Sequence, residues 1–203
     1  MRTFIIAVVL ALLFVRSAEA HLPTLVTDSV TVVRNPTVSQ AFYGELHGAS
    51  HTFIIPPEGR YELYVQILLP DIAGVDTTLA AEIQYGDTVL RLTGTGAVWK
   101  HFYEPFGGDD YLTGPELTTH VSDTVRITVR NSRNTGKYSI AVGTKESWGI
   151  SEIASTVSVL PRMKRDFFGK SPWTAFFNLS GAFLLITAGV LVGIGFGIAH
   201  FLH

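Results

Sequence analysis

The chain has 203 residues, 47% of them hydrophobic, 15 Lys and Arg against 17 Asp and Glu for a formal net charge of −2, and no cysteine. That length suits one domain with flanking segments. The lack of cysteine excludes a disulfide scaffold, a cysteine nucleophile, a thiolate zinc site and a lipoprotein anchor. The near-neutral balance argues against nucleic acid, whose binders carry a clustered basic face.

The first element is a targeting segment. Met1 and Arg2 give a positive start, Thr3 to Val15 is apolar and uncharged, and Ala18 and Ala20 are the small residues a signal peptidase accepts. The run is too short to cross a hydrocarbon core of ~30 Å, so residues 1–20 read as a secretory signal peptide. Cleavage after Ala20 leaves His21 as the new N-terminus. A terminal histidine offers its amine and a ring nitrogen together, a chelate that suits copper(II), with His47, His51, His101 or His120 as a further ligand.

Residues 21–146 form the next unit, a β-sandwich. Across 21–160 there are 9 Lys and Arg against 15 Asp and Glu, an acidic balance that favours solubility and discourages polyanions. Period-two alternation marks Tyr61–Ile67, Thr124–Arg130 and Lys137–Val142 as half-buried antiparallel strands. Further strands are expected at Ser29–Val33, Ala41–Leu46, His51–Ile55, Leu79–Gln84, Thr88–Thr93 and Val98–Tyr103. Turn chemistry separates them at His47-Gly48, Pro56–Gly59, Tyr85–Asp87 and Asn131–Gly136. About nine short strands with no long helix predict a mainly β fold, an antiparallel, jelly-roll-like β-sandwich, with a barrel as the alternative.

Glu104 to Glu116 reads as an acidic, glycine-containing loop. Glu104, Asp109, Asp110 and Glu116 could supply carboxylate oxygens to calcium, although the EF-hand spacing is absent. Trp99, Phe102, Tyr103, Phe106 and Tyr111 flank it, either flooring a ligand surface or capping the sandwich core.

Residues 147–170 read as a stalk. Ser151 is placed to cap a helix, and Ile150, Ile153, Ala154, Val157 and Leu160 recur at helical spacing before Pro161 ends it. The apolar stripe can pack on the sandwich or lie on a membrane surface with Phe167 and Phe168. From 171 to 200 the chain reads as one transmembrane helix, followed by a tail, 201–203. Ser171-Pro172 suits a helix start, and Trp173 to Ala199 would extend about 40 Å at ~1.5 Å per residue. That excess length places Trp173 to Phe177 in the interfacial layer. Gly189, Gly193 and Gly197 share one helix face, a surface for a second copy or another membrane helix.

Export places the sandwich outside the cytoplasm, yet Arg162, Lys164, Arg165 and Lys170, opposed only by Asp166, flank the helix on that outer side. Basic clusters ordinarily mark the cytoplasmic side. The outside assignment rests on the signal peptide acting first, with the cluster set against anionic headgroups. A glycolipid-anchor signal is disfavoured because Trp173–Phe177 is not a polar spacer.

A family resemblance adds to this reading. Phe42-Tyr43-Gly44-Glu45-Leu46-His47-Gly48, His51–Pro56, Tyr61–Val65 and the closing Gly136–Gly143 resemble the strands and opening turn of bacterial pre-peptidase C-terminal domains. The likeness covers roughly residues 40–143, without the central Asp-x-Asp that many of those domains carry. It implies a small β-sandwich acting as a non-catalytic accessory or binding module, and the layout resembles single-pass envelope proteins of bacteria.

No nucleophile elbow, zincin helix or phosphate loop is present. The expectation is therefore a single-pass, membrane-anchored, extracytoplasmic β-sandwich, periplasmic or at the cell surface. It would serve as a non-catalytic binding or structural module of the cell envelope, with the lipid bilayer as partner and no nucleic acid. The alternative is a metal-dependent exported protein using copper at His21 or calcium at the 104–116 loop.

Overall fold

The computed structural model describes residues 21–147 and 150–178, together with Gly181, Ala182, Leu185, Gly189 and Gly193. The expected signal peptide and most of the expected membrane segment, including Gly197, lie outside the described residues.

Among the described residues there are eleven strands: β1 (Leu22–Leu25), β2 (Val30–Val32), β3 (Gln40–His47), β4 (His51–Ile55), β5 (Tyr61–Pro70), β6 (Ala80–Tyr85), β7 (Thr88–Thr93), β8 (Lys100–Glu104), β9 (Asp109–Val121), β10 (Val125–Arg130) and β11 (Thr135–Val142). They form a six-stranded sheet, ordered β1-β3-β11-β5-β9-β8, and a five-stranded sheet, ordered β2-β4-β10-β6-β7. The two are packed face to face over one core that includes Phe42, Phe53, Leu63, Val65, Ile83, Ile127 and Ile140. The expected sandwich is there, but it is not purely antiparallel. β1 pairs with β3, and β2 with β4, in parallel, so each sheet is mixed. The reason is local: the 21–33 stretch lays one short strand along an edge of each sheet, where Pro23 needs no donor in a central position.

The strand spans follow the alternation closely in the five-stranded sheet. In β10, Val125, Ile127 and Val129 are buried while Arg126 and Arg130 face water. In the six-stranded sheet the rule breaks. Ala41 to Gly44 of β3 are all buried, as are Tyr138 to Val142 of β11 and Ile67 to Pro70 of β5. Both faces of these strands are covered.

The second cover is the segment expected to be a stalk. Helix α1 (Ile150–Arg162) continues as a π-helical turn (Met163–Phe167), and a 3-10 turn follows (Pro172–Phe176). Leu160, Met163, Phe167, Phe168 and Ala175 pack with Ala41, Tyr43 and Tyr111 in a second apolar cluster on the outer face of the larger sheet. Ser151 lies inside α1 rather than capping it, and Pro161 sits in its last turn without ending it. The proline's missing N–H and the wider turn that follows are offset by burial of Leu160, Met163 and Phe167.

The helix start expected at Ser171 is also displaced. Ser171 is extended, makes no capping bond, and precedes only the 3-10 turn. Asn178 starts the next helix: its side-chain oxygen accepts the Gly181 N–H at 3.0 Å and its carbonyl the Ala182 N–H at 3.0 Å. Among the described residues no helix is long and apolar enough to cross a membrane. Gly189 and Gly193 are helical and exposed, and no described atom comes within 4 Å of where a Cβ would stand on either.

One close approach fixes the middle of the larger sheet. Gly44 lies opposite Tyr138, and a Cβ on it would come 2.6 Å from the Tyr138 ring, so only glycine leaves room for that ring. The Tyr138 hydroxyl reaches across to His51 Nδ1 of the other sheet, at 2.8 Å.

Candidate functional site: a buried ion cluster between sandwich and C-terminal segment

The most chemically concentrated region is the β8–β9 hairpin and the residues packed on it. The hairpin turns at Pro105 to Gly108. Glu104 holds the turn, accepting the Phe106 N–H at 2.7 Å and the Gly107 N–H at 2.5 Å. Burial pushes the Glu104 carboxyl above its ordinary value, while these two backbone donors pull it back. Gly108 adopts φ +68°, and a Cβ on it would stand 2.9 Å from Asn178 Cβ, so the turn meets the C-terminal chain at a glycine. Asn178 donates to the Gly107 carbonyl at 2.7 Å.

Asp109, the first residue of β9, is wholly buried. Its Oδ2 accepts from Lys164 Nζ at 2.6 Å and its Oδ1 from Lys170 Nζ at 2.9 Å. Lys164 is 1% exposed and also donates to the Gly108 carbonyl at 3.2 Å. A buried charge this close to opposite charges and hydrogen-bond partners is compensated; removing one partner would strand the other. The Phe168 ring lies 6.0 Å from Lys164 Nζ and 5.4 Å from Lys170 Nζ. Beside the ions, Tyr111 donates to the Tyr43 hydroxyl at 3.2 Å. Burial raises both phenols far above the tyrosine value. Phe167 stands edge-on to Tyr43 and Phe168 edge-on to Tyr111, with ring centres 5.1 and 5.3 Å apart.

This cluster joins elements that sequence keeps far apart. A carboxylate and an ammonium shielded from water act on one another, so the arrangement works as a latch between the larger sheet and the segment leading to the apolar end.

The carboxylates expected as calcium ligands have separate occupations. Glu104 caps the turn and Asp109 binds two lysines. Asp110 is exposed opposite Tyr103, and Glu116 accepts from Tyr64 at 2.6 Å and Gln66 at 3.1 Å. Glu116 stands seven residues along β9 from Asp109, roughly 20 Å at ~3.3 Å per residue. His21 Nδ1 is bonded to Ser39, His51 to Tyr138 and His101 to Asp71, while His47 and His120 lie at the ends of different strands. Among the described residues no group of three or more His, Asp or Glu is placed to hold a metal ion.

The expected acidic loop is a short turn followed by the longest strand of the fold. Gly114-Pro115, inside the stretch read as a loop, is a bulge: Gln66 faces Glu116 and Leu68 faces Thr113, leaving one extra residue on β9. Gly114 is where Trp99 lies, since a Cβ there would meet its ring at 2.5 Å. The flanking aromatics divide accordingly. Trp99 packs against the core and Tyr111 against the C-terminal segment, while Phe102 and Tyr103 remain exposed on edge strand β8. Sequence reasoning missed Lys164 and Lys170 as partners of Asp109; the one signal was Lys164 lying between apolar Met163 and Phe167 on a helical path.

No family model matches the chain, and no curated protein sequence matches it. Among solved structures it is similar to the pre-peptidase C-terminal domain of a collagenase from Bacillus anthracis. The TM-score is 0.34 at 6% identity, over 58% of this chain and 96% of that one.

Proposed function

We propose that the chain is an exported β-sandwich held at a membrane by its apolar C-terminal segment, serving as a non-catalytic binding or structural module of the cell envelope. The observation that carries this reading is the latch. Asp109 grips Lys164 and Lys170, and Gly107 accepts from Asn178, so the chain reaches its apolar run clamped to the sandwich rather than on a free tether. Such a connection transmits the position of one to the other.

Two further points support it. Counted from the Asn178 cap, the uncharged run Leu179 to Ala199 has 21 residues, which as a helix would measure about 31 Å, matching a hydrocarbon core of ~30 Å. The basic cluster that conflicts with an outer location is also largely paired within the protein: Lys164 and Lys170 with Asp109, and Arg165 with Asp166 at 2.7 Å. The folded cluster therefore offers less positive charge than its sequence suggests.

The test is extraction and accessibility of the full-length protein. Alkaline carbonate should leave it with the membrane, and protease added outside opened-envelope cells should reach the sandwich. Release by carbonate, or a sandwich protected from outside protease, would overturn the proposal.

A further inference from the structure

We infer that the turn end of the β8–β9 hairpin is itself a membrane-contacting surface, with Tyr103 joining Trp173, Phe176 and Phe177 in an aromatic collar that rests among lipid headgroups. The inference builds on the membrane-anchored reading above and adds the pose of the sandwich on the bilayer.

The first observation is exposure of the wrong kind for water. Phe177 is 86% exposed, Trp173 72% and Tyr103 56%, and Phe176 is exposed beside Trp173 with ring centres 6.1 Å apart. Trp173, Phe176 and Phe177 lie shortly before the Asn178 cap, inside the charge-free stretch that starts at Ser171 and leads into the apolar run. Aromatic rings are favoured at that depth of a bilayer.

The second observation brings the sandwich to the same level. A Cβ on Gly108 would stand 2.9 Å from Asn178 Cβ and 3.5 Å from the Tyr103 hydroxyl, so both groups crowd the same point of the turn. The hairpin tip and the start of the apolar run are thus in direct contact, and a bilayer that receives Leu179 onward meets the tip as well. An interfacial layer is only ~6 Å deep on each side, half the difference between a ~30 Å core and a ~42 Å bilayer. It can take the tip but not the rest of the sandwich. β9 runs 13 residues away from the tip, so Ser122 beyond its far end is up to about 40 Å distant. Asp110, exposed opposite Tyr103, favours zwitterionic over anionic headgroups there.

The chain has no cysteine, so a single introduced thiol is labelled uniquely. Tyr103→Cys, Phe177→Cys and Ser122→Cys all lie at exposed positions that leave the cores untouched. Each full-length variant would carry a nitroxide and be reconstituted in phosphatidylcholine vesicles, and its collision rates with oxygen and with a water-soluble nickel chelate measured. The labels at 103 and 177 should both show a several-fold higher oxygen-to-nickel ratio than the label at 122. A lipid-like 177 with a water-like 103 would overturn this inference and leave the anchored reading standing. Water-like ratios at all three would overturn both. Dipolar broadening at 103 that disappears on dilution with unlabelled protein would mean a second copy covers the surface, and that too overturns it.

Discussion

The two sheets of the sandwich differ in how many of their faces are buried. The five-stranded sheet buries one face, and its strands alternate as a half-buried sheet must. The six-stranded sheet buries both faces along part of its width, because α1 and the turns after it lie on β1, β3 and the start of β9. The lesson is that a strand of this mixed sheet can carry a continuous apolar run, such as Ala41–Tyr43, when the chain returns to cover its outer face. Stability of the first sheet is then purely a matter of the shared core, whereas the outer face of the second depends on a buried ion cluster.

That difference can be broken most forcefully at Asp109. Asp109→Ala strands Lys164 in an apolar site, and the expected loss is about 3–5 kcal/mol, seen as early proteolysis within 147–178. Amide exchange in β4, β6 and β10 should stay slow. Replacing the pair together, Asp109→Leu with Lys164→Met, should recover most of the loss, because the desolvation cost disappears with the charges. If the single variant melts both sheets together, the outer face of the larger sheet is not stabilised separately from the shared core.

Phe167→Ala comes next. It empties the outer cluster beside Tyr43 and should cost about 3–4 kcal/mol in urea unfolding. Val89→Ala, on the exposed outer face of β7, should stay within about 0.5 kcal/mol.

The two sheets should also answer pH with opposite signs. Burial raises Glu104 in its folded state, so its contribution is complete below the ordinary carboxyl value and is lost as pH rises through the raised one. Asp76, in the loop before β6, is held below its ordinary value, first by its hydrogen bonds with Thr78. Its contribution is present above the ordinary value and disappears as pH falls through the lowered one. Urea midpoints across the acid range should therefore lose the rising-pH decline in Glu104→Gln and lose the falling-pH decline in Asp76→Asn. Identical profiles for both variants and the parent would refute the assignment.

The smallest effect is expected at Tyr61, the first residue of β5. Its hydroxyl is buried without a hydrogen-bond partner among the described residues, so Tyr61→Phe should be neutral or slightly stabilising. Burial, then Glu58, pushes its ionisation up to about 12. Spectrophotometric titration of the parent minus Tyr61→Phe should show a tyrosinate rising there and not near 10.

Much of this architecture is readable in the sequence, and the exceptions have physical causes. Thr88–Thr93 and His51–Ile55 coincide with their strands because each is a short β-prone run bounded by turn residues, Gly86-Asp87 before the one and Pro56-Pro57 after the other. β9 is concealed because its first half carries the acids and glycine that read as a loop, with a bulge at Gly114-Pro115, although Leu117, Thr119 and Val121 alternate after it. β1 is concealed because four residues carrying a proline show no period. The latch is the least legible part. Lys164 and Lys170 look like a solvated basic cluster, and nothing local announces that Asp109, more than fifty residues earlier, will be buried between them.

The contact between Gly44 and Tyr138 has a consequence for how the larger sheet finds its alignment. Tyr138 needs a neighbour on β3 without a side chain, and the residues on either side of Gly44 are Tyr43 and Glu45. A slip of one position would press a phenol or a carboxylate into that ring, so a single missing methyl acts as a keyhole that admits only the native pairing. For a sheet whose central strands are apolar on both faces, this keyhole is a safeguard against misaligned and self-associating intermediates.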